Sequence, residues 1–163
     1  MPRLDLSQSA RPEIPVIWTS LHAALMALSY GAFGLSSIAA LMYLTQERNL
    51  KLHKVEALFA LMPPIQRLES VVGRLLLSGF ILLTRGLLLG AYNLAQLQHP
   101  HDYAGDLKIL WSAFVWLLYM GLVLMRWRFA QGGRRFALGA IGSFAFVLLT
   151  FWGTNVLSTL HNP

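Results

Sequence analysis

The fold is decided first by residues 16–44, which read VIWTSLHAALMALSYGAFGLSSIAALMYL and contain no Asp, Glu, Lys or Arg. An apolar run of about 18 residues or more matches the hydrocarbon thickness of a bilayer and is too long for an ordinary core helix. Because lipid offers the backbone no hydrogen-bond partner, such a run has to form a helix. We therefore predict a transmembrane helix over this stretch.

Three further apolar blocks follow, at about residues 71–95, 107–125 and 136–157. Over the whole chain 56% of the residues are hydrophobic and 12% are charged, about half the charged fraction of a soluble domain. The sequence thus predicts an all-α integral membrane protein, a four-transmembrane-helix bundle over residues 16–161. Residues 1–15 are polar, contain three prolines and lack the apolar stretch of a signal peptide, so we expect a disordered or extended lead-in.

The net charge of +6 is concentrated in two of the three loops. The basic residues between helices one and two and between helices three and four are Arg48, Lys51, Lys54, Arg67, Arg126, Arg128, Arg134 and Arg135. The middle loop, residues 93–106, has no Lys or Arg. The positive-inside rule therefore predicts a multi-pass protein of the bacterial cytoplasmic (inner) membrane with both termini outside. The basic residues are explained by this topology, so we expect membrane lipid and no nucleic acid as a partner.

Several kinds of chemistry are absent from the sequence. The chain has no cysteine, which excludes a disulfide framework, a Cys-ligated metal and covalent haem attachment. It has no G-x-S-x-G, no H-E-x-x-H, no P-loop and no carboxylate pair inside the membrane. We therefore predict that the protein is not an enzyme.

Two histidines stand at the outer ends of the first and last helices, His22 and His161. An imidazole at the edge of an apolar helix is costly unless it reaches water or binds something. Two neutral imidazoles converging from separate helices are suitable axial ligands for haem iron. Two unrelated interfacial histidines are the alternative, and spacing alone favours that alternative.

Arg85 and Trp111 are further candidates. Arg85 falls in the outer half of the second helix, and none of the four apolar blocks contains an acidic residue to pair with it. A guanidinium at that depth needs a partner, and either a haem propionate or the outer headgroups would serve. Trp111 and Trp116 lie deeper in the third helix than the other tryptophans, where helix packing is a more frequent cause than a porphyrin pocket.

Three motifs carry a resemblance to a known family: the L-H opening of the first helix at 21–22, P-P-x-x-x-L-E at 63–69 and G-x-N-x-L-x-x-L-H at 153–161. From about Trp18 to His161 the chain resembles the membrane-embedded cytochrome c assembly family. That family includes haem-handling proteins of the CcmC and CcsA type and HemX-like relatives. Many of its members are longer, with additional helices before the first histidine, so the resemblance implies a reduced member or one that works with a separate membrane subunit.

The resemblance implies a site. In the family, two outward-facing histidines flank a tryptophan-rich outer loop and hold haem for delivery to apocytochrome c. The pair corresponds to His22 and His161, which would ligate the iron of a non-covalent haem b with Arg85 on a propionate. The family's tryptophan-rich motif ends in W-D-P; here Asp106 and Trp111 are its only counterparts, and HemX-like relatives also lack the tryptophan cluster.

The resulting prediction is a haem-handling membrane protein of cytochrome c biogenesis that holds haem at the outer face between two histidines. The expected partners are haem and either apocytochrome c or another cytochrome c assembly subunit. One alternative is a HemX-like membrane regulator of tetrapyrrole synthesis, acting through the basic inner loops. Another is a membrane anchor subunit of a redox complex, which the lack of a second histidine pair deep in the helices disfavours.

Overall fold

A computed structural model of the chain describes four segments of it. The backbone is described for residues 16–51, 64–95, 107–128 and 133–160, and the side chains for residues 17–51, 64–95, 109–128 and 133–150. These segments form four α-helices: α1 (Val16–Lys51), α2 (Ile65–Ala95), α3 (Leu107–Arg128) and α4 (Gly133–Leu160). All four are long and apolar enough to cross a membrane, and no strand occurs in the described segments. The predicted all-α fold with four transmembrane helices is confirmed.

Large apolar side chains cover the outside of the bundle. Leu28 is 61% exposed, Leu88 66% and Leu149 73%. A soluble monomer rarely exposes this much apolar surface to water, whereas a membrane protein exposes such a surface to lipid. The protein is a multi-pass membrane protein.

All four helices extend past the apolar blocks of the sequence, and the longest extensions are at the end of α1 and at the start of α2. α1 continues beyond Leu44 to Lys51 through residues with good helix propensity, and the Lys51 ammonium lies 2.8 Å from the Glu47 carboxylate one turn earlier. α2 begins directly after Pro64, whose carbonyl accepts hydrogen bonds from the Arg67 and Leu68 amides. Proline fits at this position because the first helical turn requires no amide donor from it. Hydropathy measures only the part of each helix that lipid surrounds.

α1 and α2 pack along a seam of small residues. The Ser29 hydroxyl donates to the Gly79 carbonyl at 2.9 Å, and the Ser36 hydroxyl donates to the Val72 carbonyl at 3.1 Å. Close approach is possible because a Cβ at Gly79 would stand only 2.7 Å from a ring carbon of Phe33. Small residues with hydrogen bonds between helices are a common way to pack helices in lipid.

α4 lies antiparallel to α1 on another side. Ser37 donates to the Ala140 carbonyl at 3.2 Å, and the Phe144 ring lies over Gly34. α3 closes the bundle, with Tyr119 stacked on the Phe33 ring at a centroid distance of 3.6 Å. The core therefore centres on α1.

One end of the bundle, where α1 and α3 finish and α2 and α4 start, is called the basic end below. Here the Glu69 carboxylate of α2 accepts a hydrogen bond from Arg126 Nη1 of α3 at 2.6 Å and another from the Gly133 amide of α4 at 3.2 Å. Gly133 has φ 72°, and the Tyr43 hydroxyl is 3.2 Å from where its Cβ would be, so glycine suits this turn on both counts. Glu69 thus ties three helices together.

Candidate functional site

His22 is the best-defined polar group at the opposite end of the bundle, where α1 starts and α4 finishes. Its ring is half-buried, and Nδ1 lies 2.7 Å from the Gly86 carbonyl oxygen of α2. A carbonyl can only accept a hydrogen bond, so Nδ1 carries a proton, and in the neutral ring the lone pair is then on Nε2. A metal-binding imidazole needs such a tautomer, in which Nε2 can bind the metal while Nδ1 donates to a backbone carbonyl.

Two glycines make room for this ring. A Cβ at Gly90 would stand 2.9 Å from Cε1 and 3.2 Å from Nδ1 of His22, and a Cβ at Gly86 would stand 3.0 Å from the Met26 sulfur. The glycines are one turn apart, so α2 offers a flat strip of backbone to α1. Sequence reasoning missed this pair, although the G-x-x-x-G spacing at 86–90 inside an apolar helix is a recognisable signal for close helix approach.

Arg85 is the neighbour of the residue that holds His22. Successive helical residues point about 100° apart, so Arg85 faces away from the contact that Gly86 makes with α1. Its side chain is exposed, and it forms no ion pair or hydrogen bond with the residues that the structure describes. Ten residues separate it from Ala95, or about 15 Å of helix. No described residue therefore neutralises the guanidinium.

Trp111 takes a different position. Its ring packs against Phe114 and Phe146 at centroid distances of 5.6 and 5.8 Å. It borders a cleft of about 220 Å³ between α1, α3 and α4, with Tyr30 and Val147 on the other walls. The contacts described for Trp111 thus lie on the α4 side, whereas those of His22 lie on α2.

Trp116 is explained by packing. Its Nε1 donates to the Thr84 hydroxyl at 3.0 Å, and its ring lies 5.7 Å from that of Phe80. Both partners belong to α2, so Trp116 joins α3 to α2.

Two of the predicted site residues, His161 and Asp106, lie outside the described residues. α4 is helical up to Leu160, the residue immediately before His161. Among the described residues no group of three or more His, Asp or Glu side chains is placed to hold a metal ion. What this part of the chain offers a metal is one oriented imidazole.

Comparison with known proteins finds one matching family and several similar proteins. The cytochrome C assembly protein family matches residues 7–161. The cytochrome c biogenesis protein CcsA of Prochlorococcus marinus subsp. pastoris is 29% identical, over 98% of this chain and 57% of that protein. CcsA of a Synechococcus species is 25% identical, over 97% of this chain and 60% of the relative. Protein HemX of Brevibacillus brevis is 28% identical, over 86% of this chain and 51% of that protein.

The chain spans between about half and three fifths of the length of these curated relatives. No solved structure matches it. The family match nonetheless runs through all four helices, from before α1 to the residue after α4. The chain belongs to the cytochrome c assembly protein family.

Proposed function

We propose that the protein handles haem in cytochrome c biogenesis, holding haem b non-covalently at the outer face of the membrane between His22 and His161. The observation that carries the proposal is the His22 ring, whose Nδ1 lies 2.7 Å from the Gly86 carbonyl oxygen, so that in the neutral ring the lone pair is on Nε2. Haem bound there would supply an iron that takes two imidazole ligands. The chain's contribution is to bind and orient the group rather than to catalyse a reaction.

The hydrogen bond to Gly86 matters because it fixes the plane of the imidazole and makes Nε2 a more basic ligand for a metal ion. The absence of a side chain at Gly90 lets the ring lie close against α2. His22 is therefore organised for ligation before any ligand arrives, which lowers the entropic cost of binding.

The helix register supports His161 as the second ligand. The antiparallel pairs Ser37 with Ala140 and Gly34 with Phe144 set the level of α4 against α1. Continued along both helices, this register brings the level of His22 to about residue 156 of α4, within the last described turns of that helix and shortly before His161 in the sequence. Two imidazoles at one end of the bundle are what a bis-histidine haem site requires.

Other proposed groups complete the site. Arg85 is free of described partners and is assigned to a haem propionate, because a guanidinium can bind a carboxylate with two parallel hydrogen bonds. Trp111 is proposed to border the site from α3, with Asp106 shortly before it in the chain.

The proposed orientation has both termini outside and the basic end in the cytoplasm of a bacterial cell. It is supported by the cations at that end: the last turn of α1 carries Arg48 and Lys51, and the last turn of α3 carries Arg126 and Arg128. Basic residues are enriched on the cytoplasmic side of membrane proteins. The haem site would then face the compartment where cytochrome c is assembled. The proposed partner is apocytochrome c or another cytochrome c assembly subunit.

Regulation of tetrapyrrole synthesis is a second candidate. The similarity to HemX and the lack of a tryptophan cluster in the stretch from Ala91 to Trp111 favour it. A regulator would bind a soluble partner through the exposed arginines of the basic end, such as Arg67 and Arg128, with or without haem. Co-purification of a soluble protein that is lost in Arg67→Gln/Arg128→Gln would favour this alternative.

Haem titration of the purified protein tests the leading proposal. We expect a Soret band that saturates at one haem per chain and a large loss of affinity in the His22→Ala/His161→Ala double variant. His53→Ala is the matched control, since it removes a histidine that is neither of the two proposed ligands. Equal binding by the wild type and the double variant would overturn the proposal.

A further inference from the structure

A cleft opens at the basic end, away from His22. Its volume is about 480 Å³, and it lies between the last turns of α1 and the first turns of α4. Its lining side chains combine an apolar floor with a charged rim: Leu44, Leu138, Glu47, Arg48, Lys51 and Arg134. The haem proposal assigns it no role.

The charges of the rim do not cancel. Lys51 is paired with Glu47 at 2.8 Å, but Arg48 and Arg134 form no ion pair or hydrogen bond with any residue that the structure describes. Glu69, the other carboxylate described at this end, is already bound to Arg126. Two exposed guanidinium groups from different helices therefore share one cleft, in which the described carboxylate, Glu47, is paired with Lys51.

The order of these side chains along the helix axes suits an amphiphile. Arg48 lies one turn beyond Leu44 on α1, and Arg134 lies one turn before Leu138 on α4. Because the helices are antiparallel, both leucines stand toward the centre of the bundle and both arginines stand toward its end. One turn corresponds to about 5–6 Å, roughly the step from the hydrocarbon edge to the headgroup phosphates.

We propose that this cleft binds one anionic phospholipid. The headgroup phosphate lies between Arg48 and Arg134, with Lys51 nearby, and an acyl chain follows Leu44 and Leu138. A small soluble anion would leave the apolar floor unused, and a neutral phospholipid would leave the net positive charge uncompensated. The lipid would join the end of α1 to the start of α4 at the membrane surface.

The test is native mass spectrometry of the full chain in neutral detergent, titrated with phosphatidylglycerol and, separately, with phosphatidylcholine. A basic residue near a membrane surface contributes about 1 kcal/mol to the attraction of anionic lipid, so Arg48→Gln/Arg134→Gln should weaken phosphatidylglycerol binding roughly 30-fold. The control is Arg67→Gln/Arg128→Gln, which removes two exposed charges from the basic end but outside the cleft. We expect it to change the affinity less than about threefold, as for scattered surface charges.

Arg48→Lys/Arg134→Lys separates lost charge from lost structure, because it keeps both cations and should retain most of the binding. Equal losses in the two glutamine variants, or equal retention of the two lipids by the wild type, would overturn the proposal. So would competition by glycerol phosphate at the same concentration as the lipid, which would indicate a site for a free phosphate.

Discussion

Replacing Gly90 by alanine should push the His22 ring away from α2 and thereby weaken haem binding. The new methyl carbon would stand 2.9 Å from His22 Cε1. Carbon atoms in contact lie about 3.5 Å apart or more, so the ring has to retreat from α2 by roughly 0.6 Å. Gly86, which accepts the hydrogen bond from His22, is on the same helix as Gly90. The distance from Nδ1 to the Gly86 oxygen would therefore grow from 2.7 Å to roughly 3.3 Å, beyond the usual range of a hydrogen bond.

The expected loss is large for a single methyl group. A hydrogen bond between membrane helices contributes about 0.6 kcal/mol to stability, so the bundle should remain folded. Loss of the hydrogen bond that orients a metal-binding histidine costs about 10–100-fold in affinity, so we expect haem binding to weaken at least about tenfold. Haem titration followed at the Soret band measures this change.

Gly31→Ala is the matched control, since Gly31 lies on α1 and a Cβ there meets nothing within 4 Å. Both variants gain the same increase in helix propensity, about 1 kcal/mol, so only the contact with His22 differs between them. If the haem affinities of Gly90→Ala and Gly31→Ala agree within error, the packing of His22 against Gly90 does not contribute to haem binding.

Three further variants test other contacts. Gly79→Ala should destabilise the bundle by about 1–3 kcal/mol in sodium dodecyl sulfate unfolding, because the new Cβ would lie 2.7 Å from the buried ring of Phe33. Glu69→Gln should lower stability by about 1 kcal/mol in the same assay, since the ion pair with Arg126 is partly buried and solvent screens it only in part. Arg85→Gln should weaken haem binding about fivefold through loss of an exposed ion pair with a propionate, whereas Arg85→Lys should recover part of it.

The variants of Gly79 and Glu69 each have a control in the chain. Gly142→Ala should leave stability unchanged or raise it, because its Cβ has open space. Glu47→Gln loses an exposed pair within one helix and should cost only about 0.3–0.5 kcal/mol. An Arg85→Gln variant with unaltered haem affinity would mean that Arg85 extends to the headgroups, the alternative that its depth also allows.

The number and type of helices could be predicted from the sequence because lipid leaves the backbone few options. A run such as residues 16–44 has to be helical wherever a bilayer surrounds it. Hydropathy alone does not locate the helix ends, since residues 45–51 are mostly polar and a helix that continues into water gives no hydropathy signal. α2 begins at Ile65, directly after two prolines and six residues before the apolar block that starts at about residue 71.

The candidate site could be predicted only in part. His22 was identifiable as an imidazole at the edge of an apolar helix, but its partner Gly86 is 64 residues away in sequence and no local pattern joins them. The role of Glu69 was equally hidden: its place in the P-P-x-x-x-L-E motif was visible, whereas its contacts with Arg126 and Gly133 depend on three helices meeting. The side of α3 on which Trp111 packs also depends on the fold, because hydrophobicity is distributed around most of that helix.

The most direct test of the central claim is electron paramagnetic resonance of the ferric haem-loaded protein. Two imidazole ligands predict a low-spin signal in the wild type. In His22→Ala and in His161→Ala alike, we expect a high-spin signal, which added imidazole converts back to low spin. A wild-type protein that is high-spin, or a low-spin signal that survives in both variants without added imidazole, would contradict haem ligation by His22 and His161.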